Sequence, residues 1–384
     1  MKSSKPYGPQ NILHVVNIYF SIPNCIGGQL KFFGEKGYKM HVACSKSPYL
    51  EGYAAEQGFD YREIPILRAI KPVQDVKSIL QICRYIREKG IGIVIGHTPK
   101  GGLLAMVAAW LMGVPKRIYF RHGLVYETSS GLMRFILMNA DRLTSLLSTQ
   151  IVCVSPSVLS QSIHDHLAPA YKQLILHNGT CRGIDTEGMF NPTNINPGKL
   201  MKMKERWGIK NDDWVIGYSG RLVKDKGIIE LVKAFCKLKK EDSRYKLLLV
   251  GMFEERDALP DEIQEEIKTT SQIIWTDFQN SNMQYFYAMM NVYVFPSYRE
   301  GFGHGSIEAQ AMKIPVITTR ATGCRDSIVE GVTGVFVNHD AEELASTIRS
   351  IHDGKIKLSG SKAREWVRDN FENHIVWKEI EKLY

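Results

Sequence analysis

Short runs of β-branched and aliphatic residues alternate with amphipathic stretches along the whole chain. In the first half the strand-like runs are ILHVVNI (12–18), MHVAC (40–44), YREIPI (61–66), IGIVIGHT (91–98), RIYFRHG (117–123), QIVCVS (150–155) and QLILHNG (173–179). In the second they are WVIGYSGR (214–221), KLLLVG (246–251), QIIWTD (272–277), VYVFPS (292–297), PVITT (315–319) and GVFVN (334–338). Stretches such as Asp75–Lys89 and Gly227–Lys240 carry apolar residues at helical spacing between them. Runs that are apolar on both faces and separated by helices predict parallel sheets covered on both sides. Two such series predict an α/β chain of two doubly wound domains. The segment HNGTCRGIDTEGMFNPTNINPG (177–198) has little apolar periodicity and is rich in turn formers, so it marks the boundary. The expected division is 1–180, 181–365 and a C-terminal helix at 366–384 set against the first domain.

Length agrees with that division, because 384 residues exceed one ordinary core. With 44% hydrophobic and 23% charged residues the composition is that of a water-soluble globular protein. Charge is uneven: residues 1–179 hold 20 Lys and Arg against 10 Asp and Glu, whereas the remainder is close to neutral. A basic first half suits a phosphate-bearing partner or an anionic membrane surface. Nucleic acid does not fit, since there is no dense Lys/Arg run and no paired Cys/His spacing. The seven cysteines never form C-x-x-C and lie mostly in apolar stretches, as thiols of a reducing compartment do. Ile12–Phe20 is too short for a secretory signal and lacks a suitable cleavage site. The longest apolar segment, Gly102–Val114, falls short of the ~20 residues of a membrane span.

Two stretches carry chemistry. REGFGHGSIEA (299–309) follows a strand and runs into a short helix. Gly301, Gly303 and Gly305 allow close backbone approach, and the N–H groups of the helix start form an anion site. Glu308 lies about one turn in, roughly 5–7 Å along the axis, where a carboxylate can accept from two vicinal hydroxyls of a ribose. Glu300, before the turn, reaches the opposite side. The pattern misses G-x-G-x-x-G, because Ser306 holds the third glycine position, and it comes late in the chain; a dinucleotide fingerprint is therefore not supported. The second stretch, YSGRLVKDKGIIEL (218–231), puts Arg221 and Lys226 around a turn between strand and helix. Two cations there neutralise a diphosphate, and the arginine fork matches its oxygens. A leaving nucleoside diphosphate gains charge in the transition state, so such groups favour the reaction itself.

GRLVKDKG and EGFGHGSIEAQA, with PVITT and ATGCRDSIVEGVTG beyond, resemble the retaining glycosyltransferases of family 4. VIGHTPKGGLLAMVAAWLMGVPKRIYFRHG (94–123) is similar to a segment of the bacterial enzymes that build surface polysaccharides. The resemblance covers nearly the whole chain. It implies the GT-B fold, two Rossmann-like domains facing a central cleft that holds the active site. It also implies that Gly220, Arg221 and Lys226 bind the donor diphosphate and that Glu308 binds the ribose. Glu300 would stand at the transferred sugar with the amides of Phe302, Gly303 and His304, and His122 would meet that sugar from the first domain. By analogy the base lies by Thr276–Phe278. The implied reaction is metal-independent, with no enzyme-borne nucleophile and no cofactor beyond the nucleoside-diphosphate sugar substrate, expected to be a UDP-sugar. No D-x-D stands between apolar strands to hold a metal, and the 11 histidines show no ligand spacing.

This chain departs from the family at His304 and Gly305, and in a longer linker, TCRGID. A third departure is Lys313, where the helix ordinarily ends in glycine, a substitution that costs ~1 kcal/mol in a left-handed backbone. On the acceptor side, Lys100 of HTPKGG is placed to bind a phosphate, or else is a surface lysine at a helix start. Lys71, Lys100 and Arg121 are expected near the ligands. LMRFILMNADRLTSLL (132–147), which carries Arg134 and Arg142, reads first as an ordinary packed helix and second as a seat against a bilayer. The expected partners are a nucleotide-sugar donor, a glycan or polyprenyl-diphosphate-linked acceptor and an anionic membrane, with no nucleic acid. The expected location is cytoplasmic, at the inner face of the membrane. Two rivals are a UDP-sugar 2-epimerase of the same fold and a catalytically dead sugar-nucleotide binder.

Overall fold

A computed structural model describes residues 8–279 and 281–384. The chain divides into one compact unit that runs to Gly183 and includes His374–Tyr384, and a second unit, Ile184–Asn373. The first boundary falls three residues beyond the expected one, and the second eight. Backbone bonds explain both: Ile184 N donates to Phe371 O at 2.7 Å and Asn373 N to Ile184 O at 3.0 Å, tying the linker to the end of the helix Gly360–Phe371.

Among the described residues the first unit holds β1 (Gly8–Val15), β2 (Lys39–Cys44), β3 (Asp60–Glu63), β4 (Ile91–His97), β5 (Lys116–Arg121), β6 (Gln150–Cys153) and β7 (Gln173–Ile175). The second holds β8 (Trp214–Ser219), β9 (Tyr245–Val250), β10 (Ile273–Trp275), β11 (Val292–Phe295), β12 (Val316–Thr318) and β13 (Gly334–Phe336). Each coincides with a strand-like run read in the sequence. All pairings are parallel, in the orders β3-β2-β1-β4-β5-β6-β7 and β10-β9-β8-β11-β12-β13. Central strands are apolar on both faces because helices cover both; β4 is buried along its whole length. In each sheet the order reverses once, between β1 and β4 and between β8 and β11. Outside the carboxyl ends of the strands at such a switch point, an open α/β sheet binds its ligand.

One expectation about the first unit needs correction. Arg121 is not near a ligand: it is wholly buried, bonded to Asp141 at 2.6 Å, Ser145 at 2.7 Å, Gln173 at 2.6 Å and Ser162 at 2.5 Å. Strand alternation is the reason, since Arg121 and His122 leave the sheet on opposite faces. The helix Gly131–Leu147 packs on the core of the first unit, as its first reading expected, through Leu137, Met138 and Leu147. Its polar residues Asp141, Thr144 and Ser145 turn inward, the first and last of them towards Arg121. A second set of apolar residues faces outward, with Leu132 and Leu146 each 73% exposed and Phe135 63%.

Lys313 is left-handed at φ 65°, so the residue ordinarily replaced by glycine keeps the glycine conformation.

Candidate active site

The carboxyl ends of β8 and β11 bring the two chemical stretches together. After β8 the chain passes Gly220 and Arg221, makes a 3-10 turn at Lys224–Lys226, and enters the helix Ile228–Glu241 through Gly227 at φ 69°. A Cβ on Gly227 would stand 2.1 Å from the Pro296 carbonyl oxygen, so glycine lets this turn lie against the end of β11. Asp225 fastens the two loops. Its carbonyl accepts from Tyr298 N at 2.9 Å and Ser297 Oγ at 3.1 Å, and its carboxylate pairs with Arg299 at 3.1 Å. Held this way, the Lys226 ammonium forms an ion pair with the Glu300 carboxylate, both largely buried.

Arg221 is more open, and Glu254, beyond β9, takes its guanidinium at 2.5 Å. The loop after β8 thus presents two cations, each paired with a carboxylate.

The glycine loop leads to the helix His304–Ala311, whose N-cap Gly303 is left-handed at φ 61° and supplies no side-chain cap. Such a first turn is one that an anion completes. Gly305 explains one departure from the family: a Cβ there would meet the Tyr293 hydroxyl at 2.1 Å, so only glycine fits. Below it Glu308 is buried and accepts from the Tyr287 hydroxyl at 2.8 Å. Tyr287 also bonds Ser219 Oγ at 2.8 Å, which bonds Tyr293 at 3.0 Å. Burial first, and then the Glu308 carboxylate, push the Tyr287 phenol well above its ordinary range, so it stays a donor that fixes Glu308.

The remaining expected residues divide by environment. The Phe302 side chain is core, packed on Phe371 with centroids 4.9 Å apart, which leaves only its backbone for a ligand. His304 lies edge-on to Phe302. Thr276 is buried and donates its hydroxyl to Asp277 O at 3.1 Å, whereas the Phe278 ring is 42% exposed. In the first unit, His122 follows β5 and its Nε2 lies 2.9 Å from His97 Nδ1. Lys100, at the start of the helix Pro99–Leu111, is ion-paired with Asp75 instead of standing open. Among the described residues no group of His, Cys, Asp or Glu could hold a metal ion.

Sequence reasoning found Lys226 and Glu300 but not their direct contact, and it missed Glu254, Asp225, Tyr287 and Ser219. Asp225 stands inside the VKDKG motif and was legible there. Glu254 and Tyr287 belong to no motif, and only the strand order brings them in.

Comparison with known proteins gives the family and the fold. Residues 201–369 match the model of Glycosyl transferases group 1, and residues 13–150 that of Glycosyl transferase 4-like. The capsular polysaccharide biosynthesis glycosyltransferase CapM of Staphylococcus aureus is 35% identical over 98% of this chain and 97% of its own. An Escherichia coli UDP-Gal:alpha-D-GlcNAc-diphosphoundecaprenol alpha-1,3-galactosyltransferase is 23% identical over 83% of this chain and 81% of its own. Anabaena HepE, crystallised with UDP and glucose, superposes with a TM-score of 0.78 at 17% identity, over 97% of this chain and 98% of that one; this likeness is one of fold.

Proposed function

This chain belongs to the GT-B glycosyltransferases of capsular and other surface-polysaccharide synthesis, and we propose that it is a retaining, metal-independent hexosyltransferase. Its donor is a nucleoside-diphosphate hexose or N-acetylhexosamine, with UDP as the nucleotide. Its acceptor is a hydroxyl of a glycan or of a polyprenyl-diphosphate-linked sugar. The observation that carries this reading is the Lys226–Glu300 pair at the switch point of the second sheet, with Arg221 beside it. Lys226 and Arg221 exchange their carboxylate partners for the diphosphate oxygens, and the first-turn amides of the helix His304–Ala311 meet the same group. Glu308, oriented by Tyr287, accepts from the ribose hydroxyls. Thr276 and Phe278 border the base. Once Lys226 turns to phosphate, Glu300 is released towards the sugar, and the family resemblance gives His122 a role in binding that sugar.

In the reaction the acceptor oxygen bonds to the anomeric carbon on the face from which the phosphate oxygen departs. The C1–O bond to phosphate breaks with its electron pair on the diphosphate, which takes the acceptor's proton. Both cations stabilise the charge that develops there, so no metal is called on. Lys100 would reach an acceptor phosphate only by leaving Asp75.

The acceptor chemistry and the exposed Leu132, Phe135 and Leu146 of the helix Gly131–Leu147, with Lys172 bonded to its carboxyl end, support peripheral seating on the inner face of an anionic membrane. No helix among the described residues is long and apolar enough to cross a membrane.

Glu300→Gln tests the assignment of the sugar subsite. It should lower kcat by about 10²-fold or more, the effect of losing a transition-state contact, with UDP affinity little changed. The reverse pattern would remove Glu300 from the sugar subsite.

A further inference from the structure

Three histidines form a line across the first unit. His14 lies near the end of β1, His97 closes β4 and His122 follows β5, and these strands are neighbours in the sheet. In register His14 stands beside Ile95, and His97 beside Phe120. Each step therefore moves one strand across and two residues up, which keeps all three rings on one face. The diagonal climbs from the buried sheet to the carboxyl edge at the β1/β4 switch point. Along it His14 Nδ1 lies 2.9 Å from His97 Nε2, and His97 Nδ1 lies 2.9 Å from His122 Nε2. Ring centroids are 5.2 Å apart at both steps. Nitrogens this close share a proton and leave no room for a metal ion between them.

His14 and His97 are almost wholly buried. Burial pushes His14 down to about 3; burial, then His122 and His14, hold His97 well below its ordinary range. Both rings are thus neutral, with one N–H and one lone pair each. Two proton arrangements complete the line. Protons pointing outward sit on His14 Nδ1 and His97 Nδ1, and His122 accepts at Nε2. Protons pointing inward sit on His122 Nε2, His97 Nε2 and His14 Nε2. The inner end decides between them, because His14 Nε2 is buried without a hydrogen-bond partner. The outward arrangement leaves a lone pair there, whereas the inward one leaves an N–H. An orphaned buried donor is the rarer and costlier of the two.

We propose that His97, backed by His14, is a positioning residue that holds His122 as its Nδ1–H tautomer, so that His122 offers the donor sugar a hydrogen-bond donor and not a lone pair. The proposal rests on the reading of His122 as a sugar contact.

Two-bond proton–nitrogen spectra of the full chain labelled with 15N-histidine read the tautomer directly. Wild type should show His122 protonated at Nδ1. His97→Leu should release the ring to the Nε2–H form and lower kcat by about 10–100-fold, the range seen for orienting partners of a functional ring, with KM for the donor little changed. His97→Gln, whose amide can donate to Nε2, should restore both the tautomer and most of the turnover. A wild-type His122 protonated at Nε2 would overturn the proposal, even if no variant folds. So would a His97→Leu enzyme that loses turnover with its tautomer unchanged. His122→Ala with full turnover would instead remove the sugar contact and leave the tautomer result standing.

Discussion

Lys226 and Glu300 were legible because each sits in a turn directly after a strand, where charge has no structural use. Their contact was not, because it depends on β8 and β11 being neighbours. Replacing Lys226 with Ala should weaken UDP binding and turnover together, by about 2–4 kcal/mol in transition-state terms. Steady-state kinetics and UDP titration check this, and a change below about threefold, ~0.7 kcal/mol, would contradict the role. His14 was read only as one of 11 histidines without ligand spacing, since its partners lie on distant strands. Its burial carries a pH dependence. In the folded chain His14 takes a proton only near pH 3, against an ordinary 6.5 when unfolded. Between those values the unfolded chain binds more protons, so the stability His14 allows is present above 6.5 and is lost as pH falls below it. From pH 7 to 5 the loss is about 2 kcal/mol. Denaturation at both pH values should show wild type losing more stability than His14→Gln, and equal losses would mean His14 is not held neutral.

Strands were the most legible elements, because a parallel sheet covered on both faces writes itself as continuous apolar runs. The helix Gly131–Leu147 was legible as amphipathic but not in which way it faces. Periodicity gives a stripe; here the buried Arg121 guanidinium holds Asp141 and Ser145 inward beside Leu137, Met138 and Leu147, and Leu132, Phe135 and Leu146 are left facing outward. Nothing in LMRFILMNADRLTSLL announces that Asp141 and Ser145 are spoken for by an arginine twenty residues earlier. The double variant Phe135→Glu with Leu146→Glu should alter folding stability by no more than about 0.5 kcal/mol per site, as exposed positions do. The same variant should lose flotation with anionic vesicles at low salt, where wild type floats. Wild type staying wholly in solution would end the membrane reading, and equal flotation of the variant would move the contact to another surface.

At the scale of the whole chain, two doubly wound units follow from length, alternation and one turn-rich segment, and the structure places the boundary within a few residues of that segment's start. The C-terminal helix was expected against the first domain from 366, and the structure groups His374–Tyr384 with the first unit; periodicity alone names no partner for an amphipathic helix. The asymmetry of charge follows the same division, with the basic excess in the first unit and the nucleotide-loop chemistry in the second. The central claim is that a nucleoside diphosphate binds at the carboxyl ends of β8 and β11, drawing Lys226 from Glu300 and Arg221 from Glu254. A crystal structure of the chain with UDP tests it most directly. The diphosphate should lie within hydrogen-bonding distance of Lys226 Nζ and the Arg221 guanidinium, with the ribose on Glu308. UDP bound elsewhere, or both ion pairs intact beside an empty switch point, would contradict the account.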